Sequence, residues 1–109
     1  MPKKPIILFP GTLREIVALG TRIREARLRR KFSMETVCKR ADISRPTLKR
    51  IESGDPSVSF GNLVQVLKIL GFQDDIALLL AEDVIGRKIQ DESLPLPRRS
   101  PRQTKSEDE

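Results

Sequence analysis

Apolar residues recur along this chain at close to the 3.6-residue period of a helix, in short runs that are each opened by a hydroxyl side chain and closed by a turn former. Thr12 is placed to cap a helix whose apolar positions are Leu13, Ile16, Val17, Gly20, Ile23 and Leu28. The pattern predicts one helix, or two with a bend near Gly20, ending about Lys31. Ser33 is the next N-cap, and Val37, Cys38 and Ala41 share one face of the helix it opens. The tight turn Asp42-Ile43-Ser44 leads to a third helix from about Arg45 to Ser53. Ser44 caps it, Pro46 is tolerated in its first turn, and Gly54 is suited to end it in the left-handed conformation. Ser59 caps a fourth helix with Leu63, Val66, Leu67 and Leu70 apolar, stopped by Gly71. A fifth runs from about Asp74 to Asp83 or beyond, with Asp74 and Asp75 at its positive end.

The flanks differ in character. Residues 1–11 carry Lys3, Lys4, three prolines and apolar Ile6–Phe9, and read as a flexible basic arm or a short strand. Residues 86–109 contain Pro95, Pro97 and Pro101 among polar residues and cannot bury enough apolar area to fold alone, so a disordered tail is expected. The expected layout is therefore an arm over 1–11, an all-α domain over 12–85 and a tail over 86–109.

Composition narrows the function. A length of 109 residues allows one domain, and a formal net charge of +6 favours polyanionic partners, either nucleic acid or an acidic membrane surface. No run approaches the length of a membrane span, and Ile6–Phe9 is too short for a signal peptide. A lone cysteine, Cys38, fits a reducing cytoplasm. His, Tyr and Trp are absent, and with no Gly-rich phosphate loop and no paired ligand motif, neither an enzyme nor a bound metal or cofactor is expected. Charge is also segregated. Arg14–Arg50 holds twelve basic and four acidic residues, whereas Ile51–Ile85 holds one basic and six acidic. Such a division marks a binding face for nucleic acid.

Two short helices joined by a tight turn are the helix-turn-helix arrangement, whose second helix enters the DNA major groove. Small Ala41 and Cys38 allow a close crossing, Ile43 fills the turn, and Leu48 and Ile51 hold the second helix to the core. Arg45, Pro46, Thr47, Lys49 and Arg50 are left facing outward. Leu19–Phe72, through LGTRIREARLRRKFSMETVCKRADISRPTLKRIESG and SFGNLVQVLKILGF, resembles the phage-repressor (Cro/C1-type, XRE) helix-turn-helix family. The resemblance implies a five-helix domain that binds double-stranded operator half-sites as a dimer. It also implies an ion pair between Arg27 and Glu52, and makes Ser33 and Ser44 candidate DNA-binding residues beside the five outward ones. Arg45 and Arg50 have the strongest case, because an arginine on a recognition helix can bond guanine O6 and N7 together. Two positions depart from the pattern. Met34 stands where the family usually has a phosphate-touching Gln, and Asp42 stands where a turn Gly is common. Cys38, in a position usually filled by Ala, is expected to pack rather than react.

Two features point to protein partners. Ile76, Leu79, Leu80 and Val84 would form one stripe on helix five, with more apolar surface than a five-helix monomer needs. Ile6–Phe9 is a second dimer candidate, by strand pairing. The run Asp83–Asp91, followed by Leu94-Pro95 and basic residues, resembles the C-terminal signature of antitoxin-type regulators paired with HipA-like kinases. That resemblance implies a HipB-like antitoxin that represses its own operon and restrains a Ser/Thr kinase toxin. The alternative is a stand-alone XRE-family regulator with no toxin partner.

Overall fold

Helix α1 spans Pro10–Arg29 without interruption. It starts two residues before the cap expected at Thr12, because Pro10 occupies the first turn, where its missing N–H costs nothing and its fixed φ is already helical. Phe9 takes the extended N-cap conformation without a side-chain bond. The computed structural model describes residues 6–93, and their regular structure is all helical. After α1 come α2 (Met34–Ala41), α3 (Arg45–Ser53), α4 (Phe60–Ile69), α5 (Gln73–Leu78) and α6 (Val84–Ser93).

Ser33, Ser44 and Ser59 cap α2, α3 and α4 as expected, accepting from the backbone N–H of Thr36, Thr47 and Asn62. The first four helices also end alike. A left-handed residue, Lys31, Asp42, Gly54 or Gly71, lets the next N–H reach back to a carbonyl five residues earlier. The bonds run from Phe32 to Arg27, Ile43 to Cys38, Asp55 to Arg50 and Phe72 to Leu67, at 2.9–3.2 Å. Asp42 therefore performs the turn role usual for glycine, at φ 57°.

The core is Ile23, Ala26, Val37, Cys38, Ala41, Leu48, Ile51, Val66 and Leu70, with α1 packed on α3 and α2 on both α3 and α4. On α1 the buried stripe is Gly20, Ile23, Ala26 and Arg27, whereas Leu13, Val17 and Leu28 stay largely exposed, contrary to the expected face. Val17 and Leu28 lie roughly 100° or more around the helix from the centre of that stripe, and Leu13 lies about two turns before Gly20, its first buried residue. Gly20 produces no bend. A Cβ there would lie 2.6 Å from the Ile51 carbonyl oxygen and 2.8 Å from that of Glu52, and one on Gly54 would lie 2.5 Å from Val17 Cα. Gly20 is thus the point where the α1 backbone rests on the end of α3.

One turn pair further along α1, Arg27 Nε and Nη2 donate to the two Glu52 carboxylate oxygens at 2.7 and 3.1 Å, and Nη1 donates to the Phe32 carbonyl at 3.0 Å. The side chains are only 8% and 7% exposed, so the expected pair forms and is shielded from water.

Beyond α4 the structure departs from expectation. The helix foreseen over 74–83 stops at Leu78, and Leu80 turns left-handed, so Ile76, Leu79, Leu80 and Val84 do not share one helix. Asp83 then accepts from the Gly86 N–H at 3.0 Å and opens α6, a sixth helix over residues assigned in part to the tail. Low hydrophobicity suggested disorder there, but Arg, Lys, Gln and Glu are good helix formers. Residues 6–9 form no strand. The rest of the arm, 1–5, and of the tail, 94–109, lies outside the described residues. The chain divides into two units between Ile76 and Ala77.

Two substitutions test this core. Glu52→Ala strands a buried guanidinium and lowers stability by about 3 kcal/mol in urea unfolding. A loss below about 1 kcal/mol, the cost expected of an exposed pair, would contradict the buried clamp. Gly20→Ala gains about 1 kcal/mol of helix propensity, but its methyl meets backbone that cannot retreat alone, at a cost of about 1–3 kcal/mol. Net destabilisation is expected, and a raised melting temperature would show that α1 does not rest on α3.

Candidate nucleic-acid interface

Helix α3 is held from behind and open in front. Leu48 and Ile51 face the core, and Glu52 is bound by Arg27. The opposite face carries Arg45, Pro46, Lys49 and Arg50, all exposed, with pairs 45/49 and 46/50 each one turn apart. The first turn holds no acidic residue, so the positive end of the helix and three cations reinforce one another. An extended polyanion meeting this face finds donors and no repelling carboxylate on it.

Thr47 is half-buried, and its hydroxyl is engaged locally. Ser44 Oγ and Thr47 Oγ1 are 2.9 Å apart, and Arg50 Nη2 approaches the same Thr47 oxygen at 3.5 Å. Ser44 Oγ also accepts from the Thr47 N–H at 3.2 Å. Helix α2 repeats the device: Ser33 Oγ accepts from the Thr36 N–H and donates to Thr36 Oγ1, both at 3.0 Å. Thr36 was not foreseen as part of this arrangement. The repeated Ser-x-x-Thr spacing, 33/36 and 44/47, is the signal that would have found it. Both serines remain exposed at the helix starts, and the structure brings Ser44 together with Thr47 and Arg50 while placing Ser33 on the neighbouring helix.

The basic cluster at the end of α1 divides by role. Arg27 is the buried clamp. Arg30 lies 5.3 Å from the Phe72 ring centre and donates to the Ala26 carbonyl at 2.8 Å. Arg40, on α2, lies 5.1 Å from the Phe32 ring centre. These contacts fix helix ends through cation–π attraction. Arg29 and Lys31 are exposed. Met34 packs against the core, so its position serves packing, where the resembling family would offer an amide to phosphate.

Two other ionisable groups bear on the surface. Burial pushes the Cys38 thiol above its ordinary value despite nearby Arg45, which keeps it protonated and unreactive. The Ser57 hydroxyl and N–H donate to Asp55 at 2.7 and 2.8 Å and hold its carboxyl below the usual range, closing the loop behind α3. Among the described residues no three His, Cys, Asp or Glu side chains gather as a metal site, and no helix is long and apolar enough to cross a membrane.

A capped helix, a left-handed turn and a second capped helix with a locked back and a cationic front define a helix-turn-helix DNA-binding module. The chain belongs to the helix-turn-helix domain family, whose model matches residues 18–79, more than half of its length. No curated protein and no solved structure matches it.

Proposed function

We propose that the protein is a sequence-specific transcriptional repressor that binds operator DNA as a homodimer, with α3 of each copy in a major groove. The observation that carries this reading is the exposed row Arg45, Pro46, Lys49 and Arg50 on a helix whose other face is fixed to the core. In this reading Arg45 and Arg50 bond guanine edges, each good bidentate contact giving about 1–3 kcal/mol of discrimination. Lys49 meets phosphate, and Ser33 and Ser44 set the register by placing the two helix starts against the backbone. Pro46 and the methyl of Thr47 supply apolar contact, the kind that thymine methyls accept. Occupying a promoter in this way excludes polymerase without chemistry, so repression needs neither cofactor nor catalysis.

The finer reading adds a second partner. The resemblance of Asp83–Asp91 to antitoxin-type regulators makes a HipA-like Ser/Thr kinase toxin the candidate, with the protein repressing the operon that encodes both. Co-purification with a kinase encoded beside it supports that reading, and its failure leaves a stand-alone regulator.

Base readout is tested by substitution. Arg45→Ala and Arg50→Ala leave the melting temperature near wild type but reduce the ratio of operator to scrambled-DNA affinity by about tenfold each, from the loss of roughly 1.4 kcal/mol of discrimination. Unchanged ratios in both variants would move base readout away from α3.

A further inference from the structure

Ser44, Thr47 and Arg50, each three residues apart, form a hydrogen-bonded row along α3. Steps of three along a helix bring side chains together, whereas steps of two do not. Thr47 can therefore reach Arg50 but neither Arg45 nor Lys49. It stands half-buried at the margin of the outward face, with Arg50 exposed beside it.

The direction of the bonds follows from what each group can do. A guanidinium only donates, while a hydroxyl has one proton and two acceptor sites. Arg50 Nη2 therefore donates to Thr47 Oγ1 at 3.5 Å, which leaves the Thr47 proton for Ser44 Oγ, 2.9 Å away. Ser44 Oγ also accepts from the Thr47 N–H at 3.2 Å, so backbone and side chain both tie Thr47 to the cap. A helical threonine otherwise divides between two χ1 rotamers. The bond to Ser44 selects one, in which the same oxygen faces Arg50. No ion pair competes for Arg50, since among the described residues the ion pair is that of Arg27 and Glu52. Asp55 is near enough to feel the charge of Arg50, but its Oδ1 accepts from the Ser57 hydroxyl and N–H at 2.7 and 2.8 Å.

We propose that Thr47 is a positioning residue for base recognition, its hydroxyl, anchored on Ser44, holding the Arg50 guanidinium toward the start of α3. That is the end of a recognition helix that contacts base edges. The proposal rests on the reading of α3 given above and adds which side chain orients one of its readers. A free arginine must give up rotamers before its fork can meet guanine. At 3.5 Å the bond to Thr47 is at the long end of hydrogen bonding, so it adds little to the stability of the fold. Its effect is to narrow the orientations of Arg50 before DNA arrives. It uses one of five N–H donors, and the remaining four include the pair that guanine O6 and N7 require.

The test measures the affinity of the full-length chain for an operator selected from random DNA by the wild type, and for the same DNA with single base pairs changed. Arg50→Ala marks the base pair that Arg50 reads. Thr47→Val keeps the shape, the existing methyl group and the N–H bond to Ser44, and replaces only the hydroxyl. It lowers the preference at that base pair by about fivefold, the effect of ordering one long side chain at binding rather than before it. Because the preference is a ratio of two affinities, any loss of folded protein cancels. Thr47→Ser, which restores the hydroxyl without the methyl, recovers most of the preference. Once Arg50 is alanine, Thr47→Val has no further effect there. The proposal is overturned, with base readout by α3 intact, if Thr47→Val keeps the wild-type preference or loses as much without Arg50 as with it. Equal loss in Thr47→Ser also overturns it and assigns the role of Thr47 to its methyl. If Arg50→Ala alters preference at no base pair, Arg50 reads no base, and that part of the α3 reading falls together with the proposal.

Discussion

The contact on which the rest of the structure depends is the one between α1 and the far end of α3. Helix α3 has nine residues and buries only Leu48 and Ile51, too little to hold a helix of that length in place by itself. Behind it, Gly20 brings the α1 backbone against the carbonyls of Ile51 and Glu52, and Gly54 brings the end of α3 against Val17. Seven residues along α1, Arg27 grips Glu52 with two hydrogen bonds. One contact sets the distance between the helices and the other resists rotation of α3 about its axis. Burial of an aliphatic side chain contributes about 1.5–3 kcal/mol, while breaking a buried pair costs about 3–5 kcal/mol. Losing one partner of the clamp would therefore cost about as much as the apolar burial of α3 contributes, because the other charge would be left buried and unpaired.

That division also sorts the arginines. A count of basic residues from Arg14 to Arg50 overstates the surface available to phosphate, because Arg27 is buried against the carboxylate of Glu52, whereas Arg30 and Arg40 lean on the rings of Phe72 and Phe32 and stay exposed. The same side chains close the ends of α1 and α2. The cationic half of the sequence is part scaffold and part binding surface, and only the exposed part contributes to the salt dependence of DNA binding.

Much of the domain was legible because its signals are local. Ser33, Ser44 and Ser59 cap their own helices, Gly54 and Gly71 take the left-handed turn, and Asp42 takes it without being glycine. The outward face of α3 followed from the period of Leu48 and Ile51. Most of the misreadings needed information from elsewhere in the chain. A glycine that accommodates another helix looks, in sequence, like a glycine that bends its own. Which stripe of α1 is covered depends on the helices packed against it. The split between α5 and α6 turns on a left-handed Leu80, which its residue type does not announce, and on Asp83 bonding Gly86, a local N-cap signal that was passed over. The Arg27–Glu52 pair, twenty-five residues apart, came from family resemblance; no local pattern marks it.

The central claim is that the front of α3 reads base edges in the major groove, once per copy. Methylation interference on an operator selected from random DNA tests it most directly. Guanine N7 methylation blocks major-groove readout, and adenine N3 methylation blocks the minor groove. The account predicts that N7-methylated guanines are depleted from the bound fraction in two clusters about 10 base pairs apart, or a multiple of that spacing. Interference confined to adenine N3, or a uniform pattern with no clusters, would contradict it.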